Sequence, residues 1–235
     1  PETHGHQESQ PQSMNDVPLY NSRIIDNYIK LIKFKYPWIN ATSILNHAGM
    51  TSYEVADQGH WFTQRQINRF HERLSGLTQN DNISREAGRY SASPDAIGVM
   101  RQYGLGMIGP DKCFEHVANF APKFTRSCEY RSKRLRPNKY EIAVHPLPGV
   151  KEKQFQCENR IGFFESITLG FSNKLPTIEH PECIFKGGKA CRYLISWEPS
   201  FSLVWKRIRF YMPVLFLLSC ILLHLSFPQT PLVTM

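Results

Sequence analysis

Residues 156–171 read QCENRIGFFESITLGF, and residues 178–197 read IEHPECIFKGGKACRYLISW. Four side chains of metal-binding type stand in these two stretches, in the order Cys…His-x2-Cys-x7-Cys: Cys157, His180, Cys183 and Cys191. Thiolates and imidazole nitrogens are the ligands of closed, four-coordinate structural zinc sites. The spacing therefore predicts a structural zinc ion held by these four residues.

The last two cysteines flank a Gly-Gly pair. Gly187 and Gly188 can form a tight turn between Cys183 and Cys191. The runs ECIF and ACRYLISW read as short strands around that turn, so both thiols are expected to face one point. Two carboxylates are alternative fourth ligands: Glu179 and Glu182. Buried free thiols and disulfides also stay open as interpretations of the cysteines.

Helical patterns fill the first part of the chain. Apolar residues recur at helical spacing over residues 20–36. Gly49 is expected to end a helix over residues 41–50, and Thr63 to cap the next one. From Tyr140 the pattern alternates, as in a strand. The sequence therefore predicts an α+β fold with a helical N-terminal half, followed by a small antiparallel sheet with packed helices and a zinc-bound terminal hairpin.

An apolar stretch lies near the C-terminus. Residues 210–227, FYMPVLFLLSCILLHLSF, contain no Asp, Glu, Lys or Arg. This length predicts one transmembrane helix. The basic run WKRIR at residues 205–209 comes just before it, and basic flanks stay on the cytoplasmic side. We therefore expect the cell inner membrane as the location, with the preceding domain in the cytoplasm.

The net charge of +8 does not indicate nucleic-acid binding. Much of the excess lies in residues 125–141 and 205–209, and the first of these has no platform of aromatic residues for base stacking. The six cysteines are scattered, which favours a reducing compartment. No nucleophile elbow, phosphate-binding loop, dinucleotide fingerprint or His-Glu-x-x-His is found. The sequence therefore predicts no catalytic residue in this stretch of protein.

The C-terminal pattern resembles a known family. A strand, an apolar helix with Cys157 at its head and a hairpin with His-x2-Cys, Gly-Gly and Cys are similar to the 4-vinyl-reductase-type small-molecule-binding domain. That domain also forms the sensor module of phenol-responsive bacterial activators, and its wider fold is shared with haem nitric-oxide sensors. The resemblance covers roughly residues 85–197. It implies zinc on three cysteines and a Glu, in whose place His180 falls. The first 80 residues look like the lead-in of membrane-bound bacterial sensor histidine kinases.

The resemblance also implies a buried pocket for a small apolar or aromatic ligand. Composition suggests eight lining residues: Phe114, His116, Val117, Phe120, Phe124, Phe163, Phe164 and Ile167. A haem sensor needs an axial histidine, for which His116 is the best candidate. Arg89-Tyr90-Ser91 has the wrong order for a porphyrin-carboxylate motif such as Tyr-x-Ser-x-Arg. Haem is therefore not expected.

These patterns predict a division of the chain into six segments. They are a disordered tail (1–18), a helical lead-in (19–80), a ligand-binding domain (81–200), a basic juxtamembrane linker (201–209), the transmembrane helix (210–227) and the start of a truncated loop (228–235). The predicted function is that of a cytoplasmic small-molecule sensory input domain in a membrane-anchored signal-transduction protein, expected to form a homodimer. Two alternatives stay open: a membrane-tethered protein-interaction adaptor, and a small reductase-like enzyme.

Overall fold

The computed structural model describes residues 16–96, 109–198 and 201–226. The chain divides into two compact units, Pro1–Trp197 and Glu198–Met235. The loop predicted over 228–235 and nearly all of the tail predicted over 1–18 lie outside the described residues.

Helices and a short sheet form the N-terminal part of the first unit. The elements are β1 (Pro18–Asn21), α1 (Ser22–Lys35), α2 (Ala41–Ala48), α3 (Ser52–Ala56), β2 (Trp61–Thr63), α4 (Gln64–Thr78) and α5 (Ile83–Tyr90). Strands β1 and β2 pair antiparallel. Gly49, with φ 68°, ends α2 in the left-handed conformation. Thr63 and Gln66 form a reciprocal capping box at the start of α4.

The C-terminal part of the first unit is built on a four-stranded antiparallel sheet. Its elements are α6 (Pro110–Glu115), α7 (Val117–Phe120), β3 (Cys128–Arg136), β4 (Lys139–Pro146), α8 (Gln154–Ser172), β5 (Thr177–Glu182) and β6 (Cys191–Ser196). The strand order is β3-β4-β6-β5. Val144 pairs with Cys191, and Ile178 pairs with Ile195. One face of the sheet packs against α8 through Ile142, Phe164 and Tyr193, which are fully buried.

The N-terminal and the C-terminal part of the first unit each contain an apolar core. The first joins α1, α2 and α4, with Tyr28 and Phe70 in edge-to-face contact at 5.5 Å. The second lies between the sheet and α8. Helix α5 packs along α8, where Glu165 accepts hydrogen bonds from both Arg85 and Arg89. The buried Glu165 carboxylate thus has two cationic partners across the contact between the two cores.

Two parts of the fold prediction are wrong. The N-terminal half is not helical alone, because β1 and β2 lie in it. Helix α9 spans Phe201–Ser226 and carries Pro213 inside it. Within the part of the chain that the structure describes, no helix meets the length and apolarity needed to cross a membrane. This finding corrects the transmembrane helix predicted over 210–227, the membrane as a partner and the inner-membrane location.

Candidate ligand cavity and metal centre

A cavity of about 90 Å³ lies between α1, α5, α7, β3 and α8. We call it the Val117 cavity. Five apolar residues line much of it: Ile24, Val117, Phe124, Phe163 and Phe164. Asn27, Tyr130 and Arg160 add polar groups to the wall. An apolar wall with a few placed polar groups is the usual character of a small-molecule site.

Arg160 is the charged group of this wall, and it is 7% exposed. Its Nη2 donates to both oxygens of Glu152 at 2.6 Å, and its Nε donates to the hydroxyl of Tyr130 at 3.0 Å. Ser127 and Cys128 also donate to Oε1 of Glu152, at 2.8 and 3.1 Å. Burial acts to raise the pKa of Glu152, but the Arg160 charge and these hydrogen bonds outweigh it and hold that pKa below its ordinary value.

Two atoms of the wall residues lack a hydrogen-bond partner. Nη1 of Arg160 and Oδ1 of Asn27 are both buried and unpaired. The amide nitrogen of Asn27 donates to Ser91 at 2.7 Å, so only the oxygen of this side chain is open. Buried polar atoms are rarely left without a partner. The residues that line the cavity therefore include one donor and one acceptor atom without a protein partner.

A second cavity of about 60 Å³ lies beside the first, and Tyr130 and Arg160 line both. We call it the His71 cavity, because His71 of α4 contributes its only imidazole among the described residues. The His71 ring stacks on Phe155, with centroids 3.9 Å apart. Burial lowers the pKa of His71 to about 4. The imidazole is therefore neutral at pH 7.

The four metal-type side chains come together at the first turn of α8, which carries Cys157. One ligand atom from each lies within 4.8 Å of the others in the group Cys157, His180, Cys183 and Cys191. The Cys157 and Cys191 sulfurs are 3.9 Å apart, and a His180 ring nitrogen lies 3.9 Å from the Cys157 sulfur. All three cysteines are buried. Three sulfurs and one imidazole in this space match a four-coordinate metal site.

The turn between β5 and β6 explains how the hairpin brings two of these cysteines together. Gly187 adopts φ 85°, and the amide of Gly188 donates to the carbonyl of Cys183 at 2.9 Å. A Cβ on Gly188 would lie 2.9 Å from that carbonyl oxygen, so the turn needs glycine there. Cys183 itself lies beyond the end of β5, so the strand predicted over ECIF is wrong, while β6 begins at Cys191.

The structure also separates the candidate fourth ligands. His180 stacks on Tyr193 with centroids 4.4 Å apart and belongs to the ligand group. Glu182 instead accepts from the Lys189 amide at 3.0 Å and from Arg192 at 2.6 Å. Glu179 lies on the exposed side, 3.7 Å from the Lys139 ammonium. Both carboxylates therefore have other partners.

The contact between Cys157 and Cys191 shifts the pKa values of the two thiols in opposite directions. A hydrogen bond from Cys157 lowers the pKa of Cys191, whereas the same contact raises the pKa of Cys157. A hydrogen bond from His180 further lowers the pKa of Cys191. Cys191 therefore loses its proton more readily than Cys157, and the thiolate is the form that binds metals.

Of the eight residues predicted to line a pocket, four lie on the wall of the Val117 cavity: Val117, Phe124, Phe163 and Phe164. Phe114 and Ile167 lie instead in the core between the sheet and α8. Phe120 packs against Phe163 at 6.4 Å. The His116 imidazole is half-buried, and its Nδ1 lies 3.4 Å from the side-chain amide of Asn119.

The prediction missed the polar residues of the wall. Arg160 and Glu152 could have been noticed because Arg160 precedes the apolar run IGFF in α8, where a charge needs a partner. Residues 130–134 of β3 have the Tyr-x-Ser-x-Arg spacing, so the prediction against haem from the lack of such a motif is wrong. Its members do not act as one group: Ser132 donates to the Phe114 carbonyl at 2.6 Å, and Arg134 is exposed.

Comparisons with known proteins identify the fold. No family model and no curated protein matches the chain. Its structure is similar to an H-NOX protein from S. oneidensis in the Fe(II)NO ligation state, with a TM-score of 0.58 and 9% identity over 76% of this chain and 99% of that one. It also matches the unliganded Fe(II) H-NOX protein from K. algicida, with a TM-score of 0.54 and 11% identity over 77% and 98%.

A third match is an oxygen-binding H-NOX domain related to soluble guanylate cyclases, with a TM-score of 0.57 and 15% identity over 77% of this chain and 96% of that one. At these identities the likeness shows the fold alone, which is that of the H-NOX proteins. The resemblance to the 4-vinyl-reductase-type domain is therefore corrected. The cofactor prediction, structural zinc with haem unlikely, is contradicted as well, because the matched structures are described by their iron ligation or by haem distortion.

The described residues can be tested for their fit to haem. A cavity of roughly 150 Å³ accommodates benzene, so the Val117 cavity of about 90 Å³ is far too small for a porphyrin. No histidine is among the described residues that line it, and His116 contacts Asn119 instead. The described residues in this arrangement do not fit haem, and we derive no step through it.

Proposed function

We propose that this chain is a small-molecule sensory domain that binds its ligand in the Val117 cavity. The observation that carries the proposal is the composition of the wall, which combines five large apolar side chains with a buried Arg160 whose Nη1 lacks a partner. The H-NOX fold supports it, since the matched H-NOX structures are described by bound gases or ligation states.

The position of the cavity supports a sensory role. Ile24 and Asn27 of α1 face it from the helical part, whereas Val117, Tyr130 and Phe163 face it from the part that carries the sheet. A ligand in this place contacts both apolar cores at once. It would shift the equilibrium between two arrangements of these parts if it bound one of them more tightly. This differential affinity is the physical basis of a signal.

We further propose that Cys157, His180, Cys183 and Cys191 bind one transition-metal ion. Such an ion would join the first turn of α8 to the hairpin of β5 and β6 and hold the end of the sheet against the helix. The convergence of four ligand atoms within 4.8 Å supports this role. Thiolate-rich groups of this kind select soft or borderline metals. The homodimer and the other segment boundaries, apart from the corrected transmembrane helix, stay predictions.

Thermal unfolding of the full chain with isobutane and 2-propanol, which are small enough for a cavity of about 90 Å³, tests the proposed function. Either compound should raise the Tm. Ala121→Leu adds a side chain into the Val117 cavity and should abolish the increase. Ala118→Leu adds the same volume at a neighbouring position outside the wall and should keep it. An equal increase in both variants would mean that the compounds bind elsewhere, and an iron-porphyrin absorption band in the purified protein would replace the proposal with haem sensing.

A further inference from the structure

We propose that the ligand of the Val117 cavity is a neutral molecule that presents a carbonyl or hydroxyl oxygen to Nη1 of Arg160. This inference rests on the proposed function, because it names the ligand class of the same cavity. It follows from the hydrogen-bond pattern of one side chain and from the charge balance around it.

The hydrogen bonds of Arg160 leave one of its three guanidinium nitrogens, Nη1, without a partner. Nε is taken by the Tyr130 hydroxyl, and Nη2 is taken by the Glu152 carboxylate. Nη1 is buried without any protein partner, in a residue that is only 7% exposed. An unpaired buried donor is costly, and a donor that carries charge more so. An acceptor atom of the ligand would remove this cost.

The charges around Arg160 determine whether the acceptor atom of the ligand is anionic or neutral. Among the described residues of the cavity wall, Arg160 alone carries a charge. Glu152 already neutralises it at 2.6 Å and is itself held by Ser127 and Cys128. An anionic ligand would therefore bring a second negative charge into a buried site with no further cation, and the burial of an uncompensated charge is strongly unfavourable. A neutral oxygen completes the hydrogen bond without adding charge.

The other wall residues determine the size and polarity of the part of the ligand that does not contact Arg160. Phe124, Phe163 and Phe164 with Val117 form an apolar surface, and the volume of about 90 Å³ suits a short hydrocarbon body. Oδ1 of Asn27 is an unpaired acceptor on the same wall. A hydroxyl or primary amide, which can donate as well as accept, therefore fits the wall better than a ketone or an ester.

Calorimetric titration of the full chain with three compounds of similar size tests the inference. 2-Propanol carries a neutral hydroxyl, isobutane has no acceptor, and acetate carries a negative charge; each has four heavy atoms, fewer than benzene, as the cavity of about 90 Å³ requires. Because a hydrogen bond to a charged group contributes substantially to binding, 2-propanol should bind at least about tenfold more tightly than isobutane. Its affinity should exceed that of acetate by a similar factor. Isobutane binding as tightly as 2-propanol, or acetate binding most tightly, overturns the inference but leaves the proposed function standing.

Substitutions of Arg160 test whether this residue causes the preference for the ligand that carries a hydroxyl group. Arg160→Lys keeps a positive charge beside Glu152 but has no atom in the place of Nη1. The preference for 2-propanol over isobutane should fall to within about twofold, while isobutane still binds. Arg160→Met combined with Glu152→Gln removes both charges and should give the same loss, so the comparison holds if the Lys variant does not fold. A preference that persists in both variants excludes Arg160 as the partner. If none of the three compounds binds the unaltered chain, the proposed function itself fails.

Discussion

Gly88 of α5 and Gly162 of α8 lie where the backbones of the two helices touch. A Cβ on Gly162 would lie 1.9 Å from the carbonyl oxygen of Arg85, and a Cβ on Gly88 would lie 2.1 Å from the carbonyl oxygen of Asn159. The contact sets the distance between α5 and α8, and Gly88 also lines the Val117 cavity. The width of the cavity therefore depends on two residues without side chains.

Gly162→Ala should destabilise the chain. The methyl group cannot be accommodated without separating the helices, and overpacking of this kind costs about 1–3 kcal/mol or more. Gly170→Ala is the matched control in the same helix, because nothing lies within 4 Å of a Cβ there. It should be neutral or stabilise by up to about 1 kcal/mol. Urea unfolding of both variants measures the difference, and equal free energies of unfolding would refute the close contact.

Removing one member of the buried pair of Glu152 and Arg160 should lower the free energy of unfolding, whereas replacing both members by apolar residues should lower it much less. Arg160→Met leaves the Glu152 carboxylate buried without its cation, and the loss should be about 3–5 kcal/mol. Adding Glu152→Leu to that variant should recover most of this loss, because no buried charge is left. Denaturant unfolding of the three chains checks the expectation. A double variant as unstable as the single one would show that the pair stabilises the fold through more than mutual neutralisation.

The neutral His71 should make stability depend on pH. Its pKa is lowered to about 4 in the folded chain, so the unfolded chain takes up its proton first as the pH falls. The stability that the neutral His71 contributes is fully present above about pH 6.5, the unperturbed pKa of histidine. It is lost as the pH falls from there to about 4. The full shift corresponds to roughly 3 kcal/mol, which we reduce to about 1–2 kcal/mol because the ring is partly exposed.

His71→Phe keeps the stack on Phe155 and removes the titrating group. The difference in unfolding free energy between this variant and the unaltered chain should grow as the pH is lowered from about 6.5 to 4 and stay constant below that. Unfolding curves at a series of pH values measure it. A difference that does not change with pH would contradict a lowered pKa at His71.

The thiolate-rich group should retain metal through purification. Elemental analysis is expected to give about one transition-metal ion per chain. Cys183→Ser combined with Cys191→Ser should abolish it and lower the Tm. Cys113→Ser changes another buried cysteine outside the group and should leave the metal content unchanged. A folded chain without any metal, purified without chelator, would contradict the assignment of these four residues.

The elements that depend on local signals could be predicted from the sequence. The end of α2 at Gly49, the Thr63 cap of α4 and strand β4 near Tyr140 are confirmed, because each depends on a few adjacent residues. Strand β3 was missed. It lies at the edge of the sheet, and its burial decreases along its length, so its charged residues look like a solvated loop.

The ligand cavity depends on contacts between distant residues, and its polar part was therefore not predicted. Glu152 and Arg160 are joined to Cys128 of β3 only by the tertiary fold. The aromatic residues of α8 could be proposed from composition, but not which of them face a cavity. Phe163 lines it, whereas Ile167 lies in the core. The transmembrane helix predicted over residues 210–227 is wrong, since no helix in the described part of the chain meets the length and apolarity that a membrane span needs.

A crystal structure of the full chain grown with 2-propanol tests the central claim most directly, because the electron density locates the bound molecule. The account predicts one 2-propanol molecule per chain in the Val117 cavity, between Val117 and Phe163, with the hydroxyl oxygen within hydrogen-bond distance of Nη1 of Arg160. 2-Propanol found only on the protein surface, or an iron-porphyrin in the cavity, would contradict it.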